Sequence, residues 1–234
     1  PGLISRFSRR IQVLCCLALT LVYGYAWRSG PFTSLDTRGY QELARDLKDL
    51  SIDSVPARTP GLPVLLLLTK SEDRPSRWFL WVSLVLYFAS VMAIWRVVAT
   101  STSEASGLCF LALAVLPPFV QNAARVLTEN LAFCCLAFWL VCLVRWKRDR
   151  RWKWLTLASL LSGAAALTRP SLQLLGPVTA CYVVLLLAAE IKGPGLRFAR
   201  ALAALLLPWA LLVPGYGAYY YCRTGYFGLT FWGE

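Results

Sequence analysis

Seven blocks of apolar residues run along this chain, at about 11–27, 78–97, 105–121, 128–144, 154–168, 172–189 and 200–216. Most approach the roughly 20 residues that carry an α-helix across about 30 Å of hydrocarbon. Between the first and second blocks lies the longest polar stretch, residues 28–77, and it has a period of its own. Tyr40, Leu43, Leu47 and Leu50 recur at helical spacing on one face, and Gln41, Glu42, Arg45, Asp46, Lys48 and Asp49 take the other. That pattern predicts an amphipathic helix lying in the membrane interface. Pro56-Ala57-Arg58-Thr59-Pro60-Gly61-Leu62-Pro63 then breaks the helix repeatedly. Val64 to Leu68 is apolar but too short to cross, which predicts a second surface helix. The fold class expected is all-α: a polytopic transmembrane bundle of about seven spans, with amphipathic surface helices in the first extracytoplasmic loop.

Composition supports a membrane protein over a soluble one. Hydrophobic residues make up 58%, charged residues 15%, and the mean hydropathy is +0.56, whereas soluble domains carry about a quarter charged residues. The formal charge of +12 would suggest a nucleic-acid partner in a soluble chain. Here it has a topological explanation, and no nucleic acid is implied. With the N-terminus in the cytoplasm and the seven blocks alternating, the inner loops receive 13 basic and 3 acidic residues and the outer loops 11 and 9. The bias sits inside, as membrane insertion requires. Arg6, Arg9 and Arg10 before the first block also suit a signal peptide, but no small-residue cleavage site follows, so a retained first helix is expected. Seven of the eight cysteines lie in apolar stretches, where Cys acts as a small hydrophobe. The chain has no histidine, which removes the commonest general base and zinc ligand.

Ionisable groups near membrane depth are costly and tend to be functional. Four places on the expected outer side hold them: Asp36 at the start of the first loop, Arg58 in the proline-rich break, Asn122, Arg125 and Glu129 between the third and fourth spans, and Arg169 before Pro170. Each also has a plain structural reading. Asp36 could only cap the surface helix. Arg125 and Glu129, four apart, could form a helix-surface ion pair. Arg58 and Arg169 could reach toward lipid headgroups. The basic run from Arg145 to Lys153 reads as topology and lipid contact, and the Trp and Tyr residues near span ends as interface anchors.

Four motifs tie these places together. They are Asp36 followed by Tyr40 and Leu43-Ala44, Arg58-Thr59-Pro60-Gly61-Leu62-Pro63, Thr128-Glu129 opening the fourth span, and Gly163 to Pro170 closing the fifth with Leu-Thr-Arg-Pro. In order and spacing they resemble the GT-C membrane glycosyltransferases, the protein O-mannosyltransferases and lipid A aminoarabinose transferases among them. Leu62 stands where those proteins usually carry an aromatic residue. The resemblance covers nearly the whole chain as one module, 1–234. It implies that the chain stops within the loop after the seventh span, where relatives continue with further helices.

What the resemblance implies chemically is transfer of a sugar from a polyprenyl-phosphate donor to an acceptor hydroxyl at the extracytoplasmic face. Asp36 is then the general base, and Arg58 and Arg169 stabilise the departing phosphate. Tyr40, Arg125 and Glu129 complete the expected substrate-binding set. Displacement from the far side inverts the anomeric centre. Some relatives use a divalent cation, and without histidine such a site would be oxygen-lined, suiting Mg or Mn. The implied partners are the lipid-linked sugar and membrane lipid. The implied location is a multi-pass protein of the plasma membrane, the inner membrane if bacterial. The competing class is a non-catalytic membrane protein: a transporter, a scaffold or a degenerate relative. A transporter would place charges mid-helix or show paired broken helices, whereas here the spans are clean and the polar groups sit at their ends.

Overall fold

The computed structural model describes residues 13, 16, 17, 20, 21, 23–51, 58–190 and 196–229; for 189, 190, 196 and 197 it describes the backbone alone. Among these residues every regular element is helical. Helical residues between 13 and 29 form α1. Then come α2 (Thr37–Asp49), α3 (Gly61–Leu68), α4 (Arg77–Ser101), α5 (Glu104–Ala114), α6 (Pro117–Ala123), α7 (Thr128–Asp149), α8 (Trp152–Thr168), a 3-10 turn (Pro170–Leu172), α9 (Leu175–Glu190) and α10 (Leu196–Thr224). The chain is thus all-α, and its apolar blocks fall on α1 and α4 to α10.

Four helical stretches are long and apolar enough to cross a membrane: Arg77–Ser101, Thr128–Asp149, Pro170–Ala188 and Phe198–Thr224. The α5–α6 pair, bent by 66°, makes a fifth if taken as one span. The expected seven are therefore not all found among the described residues. The seventeen residues of α8 rise about 26 Å, short of the hydrocarbon thickness. The first block, with Arg6, Arg9, Arg10 and Cys15, lies partly outside the described residues, as do Pro56 and Ala57. The α5–α6 bend has a local cause. Pro117 and Pro118 supply no N–H to the preceding turn, and Leu116 before them is extended at φ −62°, ψ 138°.

Helices α7 and α8 form the centre of the bundle, an antiparallel pair joined by a two-residue link. α4 packs on one side of it and α10 on the other. Small residues let α10 close onto α8: Ser159, Ser162, Gly163, Ala165 and Ala166 are all buried. A Cβ on Gly163 would stand 2.8 Å from Leu212 Cδ1. Ser159 does more than make room. Its hydroxyl accepts from Trp209 N at 3.0 Å and donates to the Leu205 carbonyl, inserting between two backbone groups four residues apart in α10, beside Pro208.

The first loop differs in one respect from a helix lying on lipid. Helix α2 forms over the expected periodic stretch, but its apolar face packs on protein. Tyr40 and Ala44 are buried with Leu62 and Leu66 of α3, Phe79 and Val126, and Leu43 packs on Tyr220 of α10. Likewise α3 buries Leu62 and Leu66 and leaves Val64 and Leu68 exposed. The loop is folded onto the bundle, so the core-facing sides of α2 and α3 are covered by the chain itself.

Candidate active site

Two short connections set the site. Phe32, just after α1, is stitched to the α6–α7 link: its N–H donates to the Ala124 carbonyl and its carbonyl accepts from Val126 N, each at 3.0 Å. At the far end of the loop, the buried Thr59 hydroxyl donates to the Thr168 carbonyl at 2.7 Å. Gly61 makes the close approach possible, since a Cβ there would stand 2.5 Å from Thr168 Oγ1 and 2.8 Å from the Leu167 carbonyl oxygen. The loop carrying Asp36 and Arg58 is thereby held over the start of α7 and the end of α8.

Asp36 does not cap its helix. It occupies the N-cap position of α2, with φ −74° and ψ −21°, and its side chain makes no capping hydrogen bond. Its carboxylate instead accepts from Nη2 of Arg58. The local turn is closed by its neighbour, with Ser34 N donating to Thr37 Oγ1 at 2.8 Å. Arg58 in turn lies over Tyr40, its Cζ 5.3 Å from the ring centroid. Arg58 also passes close to Gly39, where a Cβ would stand in ordinary contact with Nε at 3.5 Å. The Asp36 and Arg58 side chains are 49% and 35% exposed, so this is an accessible pair rather than a sealed one.

The second pair joins α8 to α7. Arg169 Nη1 donates to Glu129 Oε1 at 3.3 Å. The helix-surface pair expected between Arg125 and Glu129 is therefore not the one formed. Arg125 belongs to the extended link bridged to Phe32, one residue short of any helix, and makes no ion pair among the described residues. Neither Arg58 nor Arg169 merely reaches for lipid. The structure thus gathers Asp36, Tyr40 and Arg58 directly, sets Glu129 and Arg169 together, and joins the two groups through Thr59–Thr168. Arg125 stands apart, exposed, at the same end of the bundle.

Around them the bundle is fastened by polar groups that sequence reasoning passed over. Asn130 Nδ2 donates to the Ser83 carbonyl (2.9 Å) and hydroxyl (2.7 Å), and Ser83 Oγ donates to the Ala123 carbonyl at 2.7 Å. Asn130 follows Glu129 directly, so this buried network sets where the carboxylate stands. Beside it opens a cavity of ≈ 330 Å³, walled by Tyr87, Phe110, Leu113, Phe119 and Phe133 with Glu129 at its edge. Its lining is almost wholly apolar and suits a hydrocarbon chain.

A family model described as dolichyl-phosphate-mannose-protein mannosyltransferase matches residues 64–213, well over half of the chain. The chain belongs to this family. It is accordingly an integral membrane protein of a glycosyltransferase family, and the resemblance read from its motifs holds. The mannosyltransferase match takes in Arg125, Glu129 and Arg169, while Asp36, Tyr40 and Arg58 precede it. No curated protein and no solved structure matches the chain. The residues present do not form an all-protein cage for a divalent cation: among the described residues no three Cys, Asp or Glu side chains gather, and Asp36 and Glu129 each face a guanidinium.

Proposed function

We propose that this protein transfers a sugar, mannose by family, from a polyprenyl-phosphate donor to an acceptor hydroxyl on the extracytoplasmic face, with inversion at the anomeric carbon. The observation that carries the reading is the placement of the Asp36 carboxylate. It leaves its own helix uncapped and stands on Arg58, above Tyr40, at the end of the bundle where Arg169 and Glu129 also meet.

In this reading the acceptor oxygen attacks C1 of the sugar while Asp36 takes its proton. The bond from C1 to the phosphate oxygen breaks, and the lipid phosphate leaves with the electron pair. Arg58 offers Asp36 one nitrogen and has further N–H groups for phosphate oxygens; Arg169, bound to Glu129 through Nη1 alone, has the same spare capacity. Tyr40 holds the Arg58 plane in place, and Arg125 contributes positive charge at the rim. The apolar cavity beside Glu129 supplies a lining for part of the isoprenoid chain.

Asp36→Asn, assayed with a polyprenyl-phosphate mannose donor, tests it. The amide keeps the shape and loses the base, so transfer falls by on the order of 10²–10⁴-fold with expression unchanged. Full activity in that variant overturns the assignment.

A further inference from the structure

The α7–α8 hairpin lies at the opposite end of the bundle. From Thr128, at the Glu129 end, α7 rises about 33 Å over its 22 residues before the chain turns at Arg150, a residue with φ +53°. Between 145 and 153 there are six cations and one carboxylate, Asp149. Their side chains are organised by tryptophan. Arg145 Cζ stands 5.1 Å and Lys153 Nζ 5.0 Å from the ring centroid of Trp154, and Arg150 Cζ stands 5.0 Å from that of Trp146, which is buried. Two like charges therefore converge on one ring. Among the described residues neither has a carboxylate partner, and the covered Trp154 Nε1–H has no acceptor. An anion held by both cations would offset the two charges.

The surface below them identifies the anion. Lys153, Leu157 and Leu160 recur at i, i+4 and i+7 and so share one stripe of α8, and both leucines are exposed. A cation heading an uncovered apolar stripe matches an amphiphile with charge at one end and hydrocarbon at the other. A soluble phosphate has no use for the stripe. We propose that the hairpin is a binding site for an anionic phospholipid, with Arg145 and Lys153, both seated on Trp154, holding the phosphate and the acyl chain lying along Leu157 and Leu160. The site is remote from the glycosyl-transfer groups and does not depend on them.

The full chain in detergent, titrated with phosphatidylglycerol or phosphatidylcholine and read by native mass spectrometry, tests the proposal. Wild type retains phosphatidylglycerol preferentially. Arg145→Gln/Lys153→Gln weakens that retention on the order of thirty-fold, about fivefold per charge. The matched pair Arg74→Gln/Arg77→Gln leaves it unchanged, and Arg145→Lys/Lys153→Arg restores most of it. Equal retention of the two lipids by wild type overturns the site. So does an equal loss in both double-glutamine variants, which would signal net charge alone, and so does displacement of the lipid by millimolar inorganic phosphate, which would signal a general anion site.

Discussion

Asp36 and Arg58 can be an ion pair that holds a loop or a pair of groups that act on substrate, and the two roles separate by magnitude. Both side chains are a third to a half exposed, where water screens the attraction and such a pair contributes no more than about 1 kcal/mol to stability. Arg58→Gln should thus shift the thermal midpoint slightly but lower kcat/KM by on the order of 10²-fold. The double variant with Asp36→Asn should lose less than the two single losses combined, since the two groups touch. A large stability loss with transfer retained would make the pair structural. At this scale the sequence was partly readable. It put Asp36, Arg58 and Arg169 at one end, because alternation of the apolar blocks leaves all three on the same side. It could not assign partners. An i, i+4 pairing of Arg125 with Glu129 requires both on a helix, and the bridge to Phe32 holds residues 124–126 out of one. Nor could it find Thr59–Thr168, a contact spanning 109 positions, although both threonines stand inside the motifs, each adjacent to a site arginine.

Helix α2 was legible from its period, yet what it packs against was not, because an amphipathic face fits lipid and protein equally well. The deciding contacts come from elsewhere in the loop. Gln41, Arg45 and Lys48 lie on one face of α2 and reach Ser71 (3.3 Å), Asp73 (3.8 Å) and Glu72 (2.7 Å). The hydrogen bond from Lys48 holds the Glu72 carboxyl below its ordinary range, and the Lys48 ammonium is correspondingly raised by the bond to Glu72. A lowered acid stabilises the fold above its unfolded pKa and loses that contribution as the pH falls through the lowered value. A raised base contributes below its unfolded pKa and loses the contribution as the pH rises through the raised value. The clip therefore holds between the two ranges. The thermal midpoint should drop on acidification through the carboxylate range, and Glu72→Gln should flatten that part of the curve. Gly61 at the head of α3 is the stricter test. Gly61→Ala drives a methyl into the Thr168 backbone, which cannot yield as a side-chain end would. It should cut transfer at least tenfold by lifting Arg58 from its seat, with α2 still folded on circular dichroism.

Seven apolar blocks gave the class of the molecule but overstated its certain spans. Block length measures greasiness and not helix continuity: a Pro-Pro step bends one block by 66°, and α8 trades length for the small residues that seat α10. The charge imbalance between the two ends is a whole-molecule property and makes an orientation prediction. With Cys222→Ser as background, Arg38→Cys should react with a membrane-impermeant maleimide in intact cells, and Arg148→Cys only after permeabilisation. The reverse pattern would turn the bundle over and move the candidate site to the cytoplasm.

The union of Gly61 and Thr59 with the Thr168 turn also limits how the chain can be re-engineered. The first loop is not a detachable cassette, because its proline-rich strip and the Leu-Thr-Arg-Pro corner interlock like a key and its ward. A chimera that imports the loop from another protein without the matching corner would lose registry between the Asp36–Arg58 and Glu129–Arg169 pairs even if every charged residue were retained. Grafting both segments together should preserve it.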